Sequence, residues 1–346
     1  MKFGIRLPVT GPFSSKEFII KTALLGEECG YDSVWTQGHI LWTRAQHVGQ
    51  LAVGSFEAIN PSQDPNKFDS ITVLSYIAGK TENIRLGFSV YVIPLVHPVI
   101  TAKVIADLDV LSEGRVIFCT SPGGPLIKPD FELLQIEHGK RAQIADEYIR
   151  AVKDLWTKDN CSFDGTFVKF KDVSIHPKPA QKPHPPIWIA GGNPMATARA
   201  AKYGSGWMLS TIDPRGMLQE IGNYSESISR CRQQARRDFG RQEEDVTDYA
   251  IEIFACVAPT DEEAFTISSN TIDARRNLHA KHFSNLPTRE QVQRINLVGS
   301  PETIVRKAEE FAQAGATTLE LRFISRSFEE MEKMIRSFSS DVMSSF

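Results

Sequence analysis

The sequence predicts an α/β fold, a TIM-like (β/α)8 barrel with insertions, and three observations lead there. About eight short apolar runs, each followed by a helical segment, recur along the 346 residues. Repeated βα units of this kind build a parallel sheet with helices outside. Their number suits a closed barrel better than an open, doubly wound sheet. No GxGxxG follows the first strand, so the main signature of a dinucleotide-binding open sheet is missing. The chain reads as one domain, 1–346, with a lid-like insertion at 37–67 and a further insertion near 272–298.

Composition narrows the function classes. Hydrophobic residues make up 41% and charged residues 23%, ordinary for a soluble globular chain. The net charge of −3 gives no strong pull toward nucleic acid or an anionic membrane. No apolar run approaches the ~20 residues that span a bilayer. The five cysteines (Cys29, Cys119, Cys161, Cys231, Cys256) are widely spaced and form no CxxC. That usage fits a reducing compartment and argues against disulfides and a zinc module. The strand-like Phe3-Gly4-Ile5-Arg6-Leu7 stands at the start, so no signal peptide and a cytoplasmic location are expected.

The elements follow in order. Residues 1–7 form a first strand. Ser14 or Ser15 caps a helix whose apolar positions Phe18, Ile19, Ala23, Leu24 and Cys29 keep helical spacing, and Gly30 stops it. Residues 33–36 are the second strand. The stretch 37–67 is about 30 residues long, well past ordinary connections, and too aromatic for plain disorder; it reads as a lid. A helix over 68–81, a strand over 84–92, a helix over 98–111 and a strand over 115–120 come next, and the last ends in Ser121-Pro122-Gly123-Gly124-Pro125. A helix over 141–156 precedes a small hairpin over 163–173. The strand 187–190 leads into a helix over 195–203 and a strand over 206–210. Then come helix 214–239, strand 249–257, helix 261–271 and a less regular stretch to 293. Helix 301–314, stopped by Gly315, strand 318–323 and helix 328–338 close the chain.

In a barrel the reactive end is the C-terminal end of the strands, and the candidate residues gather there. Strand 187–190 breaks at Gly191-Gly192-Asn193 into a helix opened by Pro194. Free backbone N–H groups and the helix dipole make such a turn a seat for a phosphate; the alternative is an ordinary βα turn where glycine gives tightness. His39 is the one histidine at a strand end within this region. With an unperturbed pKa of about 6.5 it can give or take a proton, or it can simply hydrogen-bond the lid. Arg6 either faces the mouth, where it would meet an anionic substrate, or joins a structural ion pair. Arg141 opens a helix and can reach a cofactor phosphate. Trp42, Phe56 and Tyr91 are candidates for an apolar substrate pocket. His279 and His282 stand three apart with no third ligand near them, so no metal site is expected.

Several segments together resemble a known family. Tyr31-Asp32-Ser33-Val34-Trp35 followed by His39 resembles the second-strand motif of the luciferase-like monooxygenase superfamily, the bacterial luciferase-like flavin/F420-dependent oxidoreductases. Ile84-Arg85-Leu86-Gly87, His97-Pro98 and Leu108-Asp109-Val110-Leu111-Ser112-Glu113-Gly114-Arg115 resemble its third and fourth units. Pro186-Ile187-Trp188-Ile189-Ala190-Gly191-Gly192 through Gly206-Trp207 resembles its fifth and sixth strands, and Gly299-Ser300-Pro301-Glu302 through Ala314-Gly315-Ala316 its closing unit.

The resemblance implies a barrel that binds FMN or the deazaflavin F420 at its open end. It implies an oxidoreductase that transfers hydride or activates oxygen on a small organic substrate. Gly191 and Gly192, flanked by Ala190 and Asn193, match the phosphate site. Ser89-Val90 matches the place of a non-prolyl cis peptide against the isoalloxazine ring. Thr120, Ser121 and Gly123 match a loop that contacts the cofactor chain, and Thr36 is grouped with them. His39 matches a histidine facing the ring. A homodimer is implied, and a flavin reductase partner if the cofactor is FMN. Two departures stand out: Gly38 and Gly124 occupy positions where F420-dependent sugar-phosphate dehydrogenases carry acids. They leave open a second reading, a non-catalytic flavin-binding relative.

Overall fold

A computed structural model describes residues 1–11, 13–38, 66–210, 221–242, 245–280 and 288–346. Eight strands close into a parallel barrel. They are β1 (Lys2–Arg6), β2 (Ser33–Gly38), β3 (Arg85–Val92), β4 (Val116–Ser121), β7 (Ile187–Ala190), β8 (Gly206–Ser210), β9 (Asp248–Val257) and β11 (Thr318–Phe323). Each pairs with the next in that order, and β11 returns to β1 with Phe3 opposite Leu319. The expected (β/α)8 architecture is therefore present.

Side-chain alternation sorts each strand into two faces. Outward residues such as Ile5, Val34, Phe88, Phe118, Ile189 and Leu321 pack into the core beneath the helices. Inward residues Trp35, Ile117, Cys119, Trp188, Met208 and Ala250 fill the lumen. The two tryptophan rings sit 5.3 Å apart. Only glycine at Gly87 and Gly206 leaves room for them: a Cβ at Gly206 would stand 2.5 Å from Trp188 Cδ1, and one at Gly87 would stand 2.2 Å from Trp35 Cε3. The lumen below the mouth is thus packed solid, as barrel interiors are.

Around the barrel run α1 (Lys16–Glu28), α2 (Ser70–Ala78), α3 (Pro98–Leu111), a short α4 (Lys128–Leu133), α5 (Arg141–Thr157), α6 (Pro194–Tyr203), α7 (Ile221–Phe239), α8 (Asp261–Ala280), α9 (Arg289–Ile295), α10 (Pro301–Gln313) and α11 (Phe328–Ser337). Side-chain caps start many of them: Ser15 for α1, Asp69 for α2, Asn193 for α6 and Ser300 for α10. Each such cap stabilises its helix by about 1 kcal/mol.

Two additions decorate the barrel. The hairpin of β5 (Cys161–Asp164) and β6 (Lys169–Val173) is antiparallel and separate from the barrel sheet. Glu147 of α5 fixes its turn by accepting from the amides of Thr166, Phe167 and Val168 at 2.8, 2.7 and 2.8 Å. The second addition follows β9: α8 runs past 271, α9 comes next, and β10 (Leu297–Gly299) pairs with the end of β9. The expected strands at 187–190, 206–210 and 318–323 match in both bounds, whereas the expected helix 68–81 is shorter, Ser70–Ala78, because Asp69 caps it and Gly79 ends it.

Candidate active site

The C-terminal strand ends define one face of the barrel. On it, β7 ends at Ala190 and α6 begins at Pro194, with Gly191, Gly192 and Asn193 between. Gly191 has φ 139°, in the region that favours glycine, and a Cβ there would lie 2.8 Å from the Ala196 Cβ. Its amide is not a free donor: it donates to Met208 O at 3.0 Å, and its carbonyl accepts from Trp207 Nε1 at 2.8 Å. The Ala196 amide donates to Asn193 Oδ1 at 2.9 Å. An anion at this turn would therefore meet other amides than that of Gly191. The glycine's part is the missing side chain, which brings the backbone close to α6. What fits a phosphate-bearing group here is the start of a helix at the C-terminal end of the strands, where backbone N–H groups and the helix dipole favour an anion.

The loop after β4 lies on the same face. Ser121 Oγ accepts from the Gly123 amide at 3.2 Å. Arg141 donates from Nε to Gly123 O at 3.1 Å and from Nη1 to His138 O at 2.8 Å. Its Nη2 has no hydrogen-bond partner among the described residues. Arg141 thus clamps the loop and keeps one donor in reserve. The Ser89–Val90 peptide of β3 is cis and non-prolyl, the conformation expected from the motif. Val90 and Ala190 both pack against the lumen cluster, at the level where it meets the mouth.

Other expected site residues point elsewhere. Tyr91 is buried on the outer face of β3, with its hydroxyl 3.1 Å from Thr101 Oγ1 of α3 and its ring against Phe88 and Phe118. It belongs to the sheet–helix core and not to a substrate pocket: Ser89 and Val90 both face the lumen, and this irregularity of β3 between Gly87 and Tyr91 puts Tyr91 on the same outer face as Phe88. Thr120 is likewise turned from the lumen; its Oγ1 donates to Tyr91 O at 2.8 Å. Thr36 shares the outer face, opposite Phe88 in the register, and its Oγ1 is buried without a partner among the described residues. His39, Trp42 and Phe56 lie outside the described residues.

Arg6 resolves its two alternatives in favour of an ion pair. Its Nε donates to Glu320 Oε1 at 2.6 Å, and its Nη2 donates to Ser89 Oγ at 3.0 Å and to Glu252 Oε1. Ser89 Oγ in turn donates to Glu320 Oε2 at 2.6 Å. One guanidinium therefore serves two carboxylates inside the barrel. Burial drives the Glu320 carboxyl up to about 7; Arg6 pulls it down and Glu252 adds to the rise. Arg6 itself stays charged, because both carboxylates outweigh its burial. Arg6 still borders a cavity at the mouth, together with Thr10, Gln37, Phe254, Thr271 and Arg322.

Glu252 and Glu320 escaped the sequence reading. The available signal was a lone acid in an apolar strand, Ile251-Glu252-Ile253 and Leu319-Glu320-Leu321, on the face that alternation sends inward. A buried acid so placed needs a cation, and Arg6 was the odd charge in the first strand.

A closed parallel barrel whose C-terminal strand ends carry a glycine turn into a helix belongs to the architecture that gathers its functional loops at that end. The chain belongs to the luciferase-like monooxygenase family, whose model matches residues 1–318. It is 29% identical over 214 residues to an FMNH(2)-dependent dimethylsulfone monooxygenase of Pseudomonas putida, covering 60% of this chain and 54% of that relative. It is 25% identical over 333 residues to an F420-dependent glucose-6-phosphate dehydrogenase of Kineococcus radiotolerans, covering 93% of this chain and 90% of the relative. Among solved structures, the monooxygenase RslO1 from Streptomyces bottropensis superposes with a TM-score of 0.78 at 24% identity, over 100% of this chain and 99% of that one. That last likeness concerns the fold.

Proposed function

We propose that the protein is a flavin-family oxidoreductase that uses F420 or FMN at the barrel mouth to act on a small organic substrate. The observation that carries this reading is the family match over 1–318, joined to a glycine-containing strand-to-helix turn at the C-terminal end of the barrel strands. The bound ring would supply hydride transfer or oxygen activation; the protein supplies position, polarity and exclusion of water. In this reading Gly192 and Asn193 at the start of α6 meet the cofactor phosphate. Ser121 and Gly123, held by Arg141, line its chain. Ser89, Val90 and Ala190 support the ring where the lumen packing ends. His39 gives or takes the proton.

The protein would work on a small molecule, and an FMN-dependent reaction would draw reduced flavin from a separate flavin reductase. The two relatives named above divide between FMN and F420. Fluorescence titration of the purified protein with each cofactor tests the reading. Saturable binding of one of them at micromolar concentration is expected, and binding of neither would defeat it. With the cofactor known, His39→Ala is expected to lower kcat by roughly 10²–10⁴-fold while leaving cofactor affinity within a few fold, as loss of a general acid–base should.

A further inference from the structure

The cavity at the mouth has an uneven charge distribution. Among the described residues, Arg6 and Arg322 are the ionisable side chains on its wall, and no carboxylate lines it. Glu252 and Glu320, which balance Arg6, are not part of the wall. The rest of the wall is mixed. Gln37 Nε2 donates to Thr10 Oγ1 at 2.9 Å. Thr271 contributes a hydroxyl that is buried and has no partner among the described residues. Phe254, Phe13 and Met331 supply apolar surface. Among the described residues, Arg6 uses Nε and Nη2 for its bonds to Glu320, Ser89 and Glu252, and Nη1 makes none.

We propose that this cavity takes a small ligand with an anionic head and an apolar body, held on Arg6 Nη1, and that Glu320 is the positioning residue whose proton sets how strongly Arg6 attracts that head. The geometry supplies the coupling. With Glu320 ionised, one guanidinium faces two carboxylates, and its charge is more than compensated. With Glu320 protonated, the guanidinium faces a single carboxylate, so an anionic head approaching Arg6 meets one repelling charge fewer. Ligand and proton therefore favour each other, and each must raise the affinity for the other by the same factor. The groups facing Glu320 are Arg6 from β1, Ser89 from β3 and Glu252 from β9; Cys119 of β4 also lies within electrostatic reach. The buried Cys119 thiol is held well above its ordinary range by that burial, so it stays neutral through the interval in which Glu320 titrates. Calling the ligand the substrate rests on the oxidoreductase reading; the binding itself does not.

Hexane-1-sulfonate is a suitable probe, because its charge does not change between pH 6 and pH 8. Calorimetric titration of the full chain without added cofactor, in two buffers of different ionisation enthalpy, reads both affinity and proton uptake. Binding is expected to tighten by about tenfold from pH 8 to pH 6, with uptake of up to one proton, and 1-hexanol is expected to bind weakly and without pH dependence. Glu320→Gln is expected to bind the sulfonate without pH dependence, near the affinity of the wild type at pH 6. An ordinary imidazole titrates in the same range, so this variant is the deciding arm. Four outcomes would overturn the proposal: no binding at either pH, equal binding of 1-hexanol, a pH dependence that survives in Glu320→Gln, or displacement of the probe by inorganic phosphate or FMN. The last would assign Arg6 to the cofactor's own phosphate. Thermal melts of Glu320→Gln establish that the variant is folded before its binding is read. None of these outcomes repeats the cofactor titration, so the failure of either idea is visible separately.

Discussion

Inside the barrel a single proton decides the charge of the Arg6 cluster, and that has a consequence for stability. The Glu320 carboxyl titrates at about 7 in the folded chain, against an ordinary value of 4.5, chiefly through burial. Between those values the folded protein keeps a proton that the unfolded chain has released. Stability therefore falls as pH rises from about 4.5 to about 7 and levels off above. Asp261 works the other way in a lower window: the Ser300 amide holds its carboxyl below the ordinary range, so its contribution is lost only in acid. Urea denaturation between pH 5 and pH 8 is expected to show the decline in the wild type and a flatter profile in Glu320→Gln. Equal slopes would place the titration elsewhere. Arg6 was legible as an anomaly in the sequence, but its partners were not. They stand 314 and 246 residues away and become neighbours only when β11 and β9 take their places beside β1. Tyr91 and Thr120 misled for a related reason. A residue at a strand end is near the mouth by sequence, yet the two-residue alternation for Thr120, and for Tyr91 the irregularity of β3 that interrupts it, decides whether it faces the lumen.

At the level of single elements, α6 is the one whose start matters for the site. Asn193 caps it through Ala196 N, so Asn193→Ala is expected to cost about 1 kcal/mol in chemical denaturation. If the turn seats a phosphate, the same substitution also weakens cofactor binding; a loss of stability with unchanged affinity would confine Asn193 to capping. Gly191→Ala carries a sharper expectation, because its Cβ would meet Ala196 and its φ suits only glycine well. The expected result is destabilisation of about 1–3 kcal/mol, as for other strained backbone positions. The β7 and β8 bounds were readable because each strand is an apolar run bounded by a glycine, a proline or a polar turn, and β11 because its apolar and polar residues alternate after the Gly315 helix stop. β10 and α9 were not. Their three and seven residues are too short for periodicity to register. They are held instead by contacts from the helix that follows, such as Lys307 Nζ of α10 donating to the carbonyls of Gln293, Asn296 and Val298 at 3.0, 2.9 and 2.9 Å. Lys307→Met would leave three buried carbonyls without their donor, and is expected to destabilise by about 1–3 kcal/mol or more.

Across the whole molecule, closure of the barrel converts a linear order of motifs into a site. The strand count and the order of family-like segments were enough to give the barrel and the family, because both are properties of the chain taken in sequence. The chemistry of the mouth is different in kind. It depends on which side chains meet across the ring of strands, and on His39, Trp42 and Phe56, which lie outside the described residues. The central claim is that the phosphate of a flavin-type cofactor rests at the start of α6. Comparing the affinity for FMN, and for F420, with that for the same ring lacking its phosphate tests it most directly. One phosphate-bearing cofactor is expected to bind at micromolar concentration and at least about tenfold more tightly than its dephosphorylated counterpart, as a charge held by backbone amides and a helix dipole should. Equal affinity for the two forms, with the ring still bound, would show that no phosphate sits there.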